Sequence, residues 1–244
     1  MSKKIALITG GTGGIGTAIC KRLDDDGYTA VATTYMNEEK SKRWLEANKD
    51  RNFHTFYCDV TKWDDCVKMK EAILGEFGQV DVLVNNAGIT RDGVFKKMTP
   101  DMWGDVLSTN LDSVFNVTRQ FIDGMIERNY GRIINISSVN GQKGQFGQVN
   151  YSAAKAGMHG FTKALAQEVV KKGVTVNTIS PGYIGTEMVR AMSEEVQDKI
   201  RAQIPVGRFG EPEEIARVVS FLADDNAGFI TGANFSANGG QHMF

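Results

Sequence analysis

Near the start of the chain, Ile5-Ala6-Leu7-Ile8 runs directly into Thr9-Gly10-Gly11-Thr12-Gly13-Gly14-Ile15-Gly16. A short, unbroken apolar run suits a strand buried on both faces, as in a parallel sheet. Ile15, Ala18, Ile19 and Leu23 then recur at helical spacing, and Gly27 is placed to close that helix. Gly11, Gly13 and Gly16 satisfy the spacing GxGxxG, while Gly10, Gly14 and Gly16 satisfy TGxxxGxG. Glycine lets the backbone turn sharply and approach a pyrophosphate, whose charge then sits at the positive end of the helix. Such glycines also occur in plain tight turns. A strand before them and an amphipathic helix after them point to dinucleotide binding.

Strand and helix patterns alternate along the rest of the chain. Thr29 to Thr33, Phe53 to Tyr57, Val80 to Val84, Arg132 to Ile136 and Val174 to Ile179 read as strands. Helices are expected at Glu38–Asn48, Trp63–Phe77, Pro100–Ile126 and Tyr151–Lys171. No repeat or linker interrupts this order, so the 244 residues predict a single α/β domain with a doubly wound parallel sheet flanked by helices. Residues 1–90 form mainly its cofactor-binding half, and residues 91–244 its catalytic and substrate half. A chain of this length can bury a core without a disulfide or metal staple.

Lys and Arg number 28 against 29 Asp and Glu, a balance that argues against a nucleic-acid or anionic-membrane partner. Cys20, Cys58 and Cys66 are odd in number, without CxxC spacing, and read as reduced thiols of a cytoplasmic protein packed as small hydrophobes. No apolar stretch matches a signal peptide or a membrane span. His54, His159 and His242 are scattered, so no metal site is expected, and GxSxG is absent.

Two further patterns bear on chemistry. The second strand ends Ala32-Thr33-Thr34-Tyr35-Met36, with no acid before Glu38. A carboxylate there would bind the ribose hydroxyls of NAD and repel a 2′-phosphate, so its absence favours NADPH. Tyr35 is placed near the adenine, with Lys40, Lys42 or Arg43 as candidates for the phosphate. Tyr151 and Lys155 lie four residues apart on one helix face, where an ammonium can lower the proton affinity of a phenol. Ser138 follows the strand Arg132–Ile136, Asn85-Asn86-Ala87-Gly88 follows another strand, and Asn110 interrupts a helix that would prefer a better former. In open α/β sheets, ligands gather at these carboxyl ends.

With these motifs the chain resembles the short-chain dehydrogenase/reductase family over nearly its whole length, which implies a Rossmann-type fold. The residues that carry the likeness are Thr9-Gly10…Gly14-Ile15-Gly16, Asp59-Val60, Asn85 to Gly88, Asn110, Ser138, Tyr151…Lys155 and Pro181-Gly182. By that resemblance Tyr151 is the acid, Ser138 holds the carbonyl, Lys155 binds the nicotinamide ribose, and Asn110 positions a water relaying protons to Lys155. The cofactor would be held by Gly10, Thr12, Gly13, Gly14, Ile15, Gly16, Tyr35, Lys40, Asp59, Val60, Asn86, Ala87, Gly88, Ile89, Tyr151, Lys155, Pro181, Gly182, Tyr183 and Ile184. The family's usual basic residue in the glycine loop is missing.

The stretch from Ser138 to Gln148 is glycine-rich and polar, and reads as a surface loop beside the reacting carbon. Its glutamines can donate to a thioester carbonyl, and Phe146 offers an apolar wall. Asp92, Ser138, Gln145, Phe146, Gly147, Gln148 and Tyr183 are the substrate candidates. This loop, Gly88 to Asp92 and the ending Asn238 to Met243 resemble acetoacetyl-CoA reductases of polyhydroxybutyrate synthesis, which are similar to 3-oxoacyl-acyl-carrier-protein reductases. An acidic carrier protein would want a basic docking surface. The turn Glu127-Arg128-Asn129-Tyr130 mixes charges and Lys171-Lys172 is the other nearby pair, whereas Lys96-Lys97 or Lys143 would serve an acyl-CoA thioester. The resemblance implies an (R)-3-hydroxyacyl product.

Residues 183–208 carry Met188, Val189, Met192, Val196 and Ile200 at loose helical spacing and form a candidate lid. Phe115, Val117, Phe121, Met125, Phe161, Leu165, Val169 and Val170 exceed what one sheet face should cover. With the family's two-fold helix pairing, they predict a homotetramer.

Overall fold

The computed structural model describes residues 3–35 and 38–243, with Glu38 and Met188 as backbone only. Strand β1 (Ile5–Ile8) is buried on both faces, with Ala6 and Ile8 in one core cluster and Ile5 and Leu7 in the other. That alternation is the two-residue period of a strand, and it lets four residues serve two helical layers. Helix α1 (Gly14–Asp25) follows, its Ile19 and Leu23 on the sheet, and Gly27 turns the chain with φ +91. Next come β2 (Thr29–Thr34), α2 (Glu38–Ala47), β3 (Phe53–Tyr57), α3 (Trp63–Phe77) and β4 (Val82–Asn85). Helices α4 (Pro100–Leu107) and α5 (Ser113–Glu127) precede β5 (Gly131–Ile136). Then follow α6 (Val139–Lys143), α7 (Val149–Val169), β6 (Val174–Pro181), α8 (Glu187–Arg190), α9 (Glu194–Arg201), α10 (Pro212–Ala223) and β7 (Asn234–Ala237).

The seven strands form one sheet in the order β3-β2-β1-β4-β5-β6-β7, every neighbouring pair parallel. Strand order reverses between β1 and β4, so a crevice opens beyond their carboxyl ends, where open α/β sheets bind ligands. Helices α1 and α10 cover one face, and α3, α5 and α7 the other. Truncating a fully buried core residue such as Leu7 or Ile19 to alanine would cost about 2–5 kcal/mol.

Several expectations are corrected. The helix expected over Pro100–Ile126 is interrupted by a π-helical turn at Ser108–Asp112, which carries Asn110 at its middle. The stretch after Ser138 is in part helical, because Ser138 Oγ caps α6 by accepting the Asn140 N–H at 3.1 Å. Strand β7 was missed, since Asn234 and Ser236 break the apolar pattern. Of the apolar surplus, Val117, Phe121, Met125 and Val169 are core residues, Phe161 and Leu165 are half-buried, and Phe115 and Val170 are exposed. The turn at Glu127–Tyr130 and the pair Lys171-Lys172 precede β5 and β6, so they lie at the amino ends of the strands, away from the crevice. Among the described residues, no helix is long and apolar enough to cross a membrane, and no cluster of three or more His, Cys, Asp or Glu could hold a metal.

Candidate active site

The glycine turn is shaped by contacts between backbone segments. Gly10 has φ +61, and its N–H donates to Thr33 Oγ1 at 3.2 Å. A Cβ on Gly16 would stand 2.5 Å from Gly10 O and 2.7 Å from Gly11 Cα, so no side chain fits there. Gly13 is the N-cap of α1, with no side-chain cap and no acidic residue in the first turn. Thr12, Gly13, Gly14 and Ile15 are exposed or half-buried. An uncapped helix start beside a glycine-rich turn fits a pyrophosphate. Thr9 Oγ1 accepts the N–H groups of Asn86 and Ala87 at 2.9 and 3.0 Å, and the Asn86 amide donates to Thr9 O at 2.9 Å. These bonds fasten β1 to β4 across the crevice.

A cleft of about 440 Å³ opens there, lined by Gly10, Thr33, Tyr35, Asp59, Val60, Ala87, Gly88 and Ile89. Cys58, Thr61, Arg91, Asp105, Ser108 and Thr109 line it too, none of them among the cofactor candidates. Asp59 accepts from Thr61 N–H at 3.1 Å and Thr61 Oγ1 at 2.7 Å. Burial would raise the Asp59 carboxyl, but these bonds and Lys62 together hold it below the usual carboxylate range. Tyr35 is exposed and stacks on Tyr57 at 6.5 Å. Lys40 is exposed on α2 and is not part of the lining.

Beyond the carboxyl ends of β4 and β5, Asn110, Ser138, Tyr151 and Lys155 converge. The Ser138 side chain acts on the Tyr151 phenol and lowers its proton affinity. Lys155 is buried, donates to Ile136 O at 2.8 Å, and its Nζ lies 5.7 Å from the centre of the Tyr151 ring. Ser137 Oγ donates to Lys155 O at 2.8 Å, a second tie of α7 to the end of β5. A Cβ on Gly88 would meet Asn110 Oδ1 at 2.6 Å and Lys155 Nζ at 3.5 Å, which measures how closely the three approach.

The electrostatics differ from expectation. Burial pulls the Lys155 ammonium down to about 7. Burial also pushes the Tyr151 phenol up, with Asp92 adding to the rise and Ser138 opposing it. Desolvation therefore sets the direction of the phenol, opposite to the lowering expected from the ammonium. The Asn110 amide is committed as well: Oδ1 accepts Ile89 N–H at 3.2 Å, and Nδ2 donates to Ile89 O at 2.9 Å and Val106 O at 2.8 Å. Both ends of the side chain are thus bonded to backbone, which ties the π turn to the Ile89 segment.

Among the substrate candidates, Gln148 Nε2 donates to both Asp92 oxygens at 3.0 Å, while Gln148 Oε1 accepts Asn140 Nδ2 at 2.9 Å. The amide expected to donate to a carbonyl is engaged with Asp92. Gln145 accepts from Lys143 at 3.0 Å, Gly147 O accepts Gly93 N–H at 2.8 Å, and Phe146 is 86% exposed. Sequence reasoning missed Asn150, which is fully buried, donates to Arg91 O and Met102 O, and accepts the Tyr151 N–H. Only its place beside Tyr151 could have drawn attention to it.

Pro181 ends β6, Gly182 N–H donates to Ala237 O at 3.0 Å, and Tyr183 N–H donates to Gln241 Oε1 at 3.2 Å. Gly182, Tyr183 and Ile184 line a second cavity of about 270 Å³ with Ile204, Arg208 and Asn238. Burial raises the Tyr183 phenol, as does Asp92, whose charge reaches both tyrosines. The candidate lid holds α8 and α9, and Thr186 touches the glycine turn where a Cβ on Gly14 would meet it at 3.0 Å. The Met188 side chain lies outside the described residues.

A seven-stranded parallel sheet with a glycine-lined crevice, beside a Ser-Tyr-Lys cluster, defines a nicotinamide-dependent oxidoreductase. The short chain dehydrogenase family model matches residues 4–197, and the chain belongs to that family. It is 58% identical to acetoacetyl-CoA reductase of Cupriavidus necator over 100% of both chains. It is also 56% identical to acetoacetyl-CoA reductase of Allochromatium vinosum, over 98% of this chain and 99% of that one. The 3-oxoacyl-[acyl-carrier-protein] reductase of Vibrio cholerae is 44% identical over 98% of each chain.

Proposed function

We propose that this enzyme reduces acetoacetyl-CoA to (R)-3-hydroxybutyryl-CoA with NADPH, as in polyhydroxybutyrate synthesis. The observation that carries the reading is the gathering of Ser138, Tyr151 and buried Lys155 next to the cleft that the glycine turn borders. When bound, the cofactor supplies the hydride, and its oxidised ring supplies positive charge. The Ser138 hydroxyl donates to the ketone oxygen and fixes its position. Tyr151 Oη delivers its proton to the same oxygen, so the product leaves as an alcohol. Lys155 holds the ribose and feeds charge toward the phenol. Asn110, through Ile89, is a positioning residue. The full-length likeness to acetoacetyl-CoA reductases supports the substrate, and the (R) product follows from the family resemblance.

Two features favour a CoA thioester over an acyl carrier protein. The exposed pair Lys96-Lys97 follows β4 on the crevice side, suited to a nucleotide phosphate. Arg128 is spent on Val80 O at 2.7 Å, which weakens the alternative docking surface. The missing carboxylate after β2 supports NADPH. The free, buried cysteines accord with a cytoplasmic enzyme. Exposed Phe115, stacked on Trp63 at 5.8 Å, together with Val170, supports the homotetramer; light scattering giving a fully active monomer would contradict it.

Steady-state kinetics with acetoacetyl-CoA and acetoacetyl-carrier protein, each with NADPH and NADH, test the assignment. The highest kcat/KM is expected for acetoacetyl-CoA with NADPH. Equal values for the two cofactors would remove the NADPH preference, and a higher value for the carrier protein would move the enzyme to fatty-acid synthesis.

A further inference from the structure

Two of the three cysteines have no role in the reduction chemistry, yet they meet at the rim of the cofactor cleft. Cys58 directly follows β3, and its N–H donates to Thr34 O at 3.0 Å, at the end of β2. Cys66 lies in the first turn of α3. Their sulfurs are in contact at 3.8 Å. Between them runs Asp59-Val60-Thr61, which with Cys58 lines the cleft. The loop is held by Thr61 on Asp59, by Cys66 Sγ to Val60 O at 3.8 Å, and by the Asn116 amide to Val60 O at 3.1 Å. We infer that Cys58 and Cys66 are a redox-sensitive pair, which a hydroperoxide converts into a disulfide that disturbs the adenine end of the cleft.

The geometry separates this pair from the third cysteine. Cys58 is almost fully buried and belongs to the cleft wall, so the sulfur pair stands directly behind the lining of the cleft. Cys20 lines none of the described cavities near the crevice, and its Sγ meets Gly11 O at 3.9 Å rather than a second sulfur. The hydrogen bond between Cys58 and Cys66 raises the first and lowers the second, so ionisation of the pair leaves one proton shared between two sulfurs. A thiolate is the reactive form.

In the first step the thiolate attacks one peroxide oxygen, the O–O bond breaks, and the alcohol leaves after taking a proton, giving a sulfenic acid. The neighbouring sulfur then attacks that sulfur, its proton goes to the departing hydroxyl, and water leaves. In total, two thiols and one hydroperoxide give one disulfide, one alcohol and one water; the sulfur pair loses two electrons and the peroxide gains them. A disulfide requires about 2.05 Å between sulfurs, so the contact must close by nearly half. That movement draws Cys66 off Val60 O and shifts Asp59-Val60. The expected loss of affinity rests on the cofactor reading above, whereas the bond itself does not.

The test exposes the reduced, folded protein to hydrogen peroxide, with and without NADPH, and follows intact mass, peptide maps and NADPH binding by fluorescence. Expected are a cross-linked peptide joining Cys58 to Cys66, weakening of NADPH binding by about tenfold, recovery with dithiothreitol, and slower oxidation when NADPH is bound. Cys66→Ala and Cys58→Ala should form no cross-link and keep their own untreated affinity, while Cys20→Ser should behave as the parent. The inference is overturned if no such cross-link forms, if it forms with affinity unchanged, or if Cys66→Ala loses affinity as fast as the parent. Untreated protein that failed to bind NADPH would contradict the cofactor reading instead, and the peptide map would still judge the bond.

Discussion

At the nucleotide end of the crevice the chain packs backbone on backbone, with Gly16 set so close to Gly10 O that a methyl group has no room. At the substrate end, Gln148, Asn140 and Asp92 hold one another through side-chain bonds, and Phe146 stands in solvent. The first arrangement is part of the fold, because the turn also sets how α1 lies on β1. The second is laid over the fold, since its bonds join loops that follow β4 and β5. Changes at the nucleotide end should therefore cost stability and cofactor binding together. Changes at the substrate end should alter recognition of the thioester alone.

Gly16→Ala should have the largest effect. The added carbon overlaps backbone that has no rotamer to yield, so a loss of about 1–3 kcal/mol in stability is expected. NADPH affinity should fall by about 100-fold or more, equivalent to about 3 kcal/mol. Thermal unfolding and fluorescence titration check both. Normal binding by this variant would break the comparison.

Lys155 sits between the two ends and gives a pH signature. Burial lowers its folded value to about 7 from 10.5, so between those values the unfolded chain binds more protons than the folded one. Stability without cofactor should then rise with pH across roughly 7.5 to 9.5, by up to about 1.4 kcal/mol per unit from this group. The contribution is absent from Lys155→Met, and subtracting the variant's profile removes the cysteines and tyrosines that titrate nearby. Identical slopes in denaturant melts of the two proteins would contradict the lowering of Lys155 by burial.

Gln148→Ala removes both bonds to Asp92 and one to Asn140. These bonds are partly exposed, so about 0.5–1.5 kcal/mol is at stake. KM for the thioester should rise about three- to tenfold, with NADPH affinity within about twofold. Phe146→Ala should have the smallest effect: KM up by about two- to threefold and stability unchanged within about 0.5 kcal/mol, because the ring is 86% exposed. An altered melting temperature for Phe146→Ala would mean that the loop packs more tightly than its exposure indicates.

The same contrast explains what could be read from the residues. Trp63–Phe77 and Phe53–Tyr57 fall where their periodicity places them, and the glycine turn is legible because steric necessity leaves its mark on residue type. The interruption at Ser108–Asp112 was not legible, as Asn110 signalled something unusual within an otherwise continuous apolar pattern without naming a π turn. Strand β7 is short and polar, and it is ordered by pairing with β6 rather than by its own pattern. Asn150 and the Cys58–Cys66 contact depend on partners far along the chain or on the turn of a helix, which spacing alone does not encode.

The central claim is that Tyr151 is the proton donor in a thioester ketone reductase. It is tested most directly by Tyr151→Phe, which removes one hydroxyl and leaves the ring beside Lys155. In single-turnover reduction of acetoacetyl-CoA, with NADPH already bound, the rate should fall by about 10²–10⁴-fold while NADPH affinity stays within about twofold. A variant that keeps more than about one tenth of the parent rate with the same cofactor affinity would contradict the claim, because general-acid catalysis by a side chain is worth more than that.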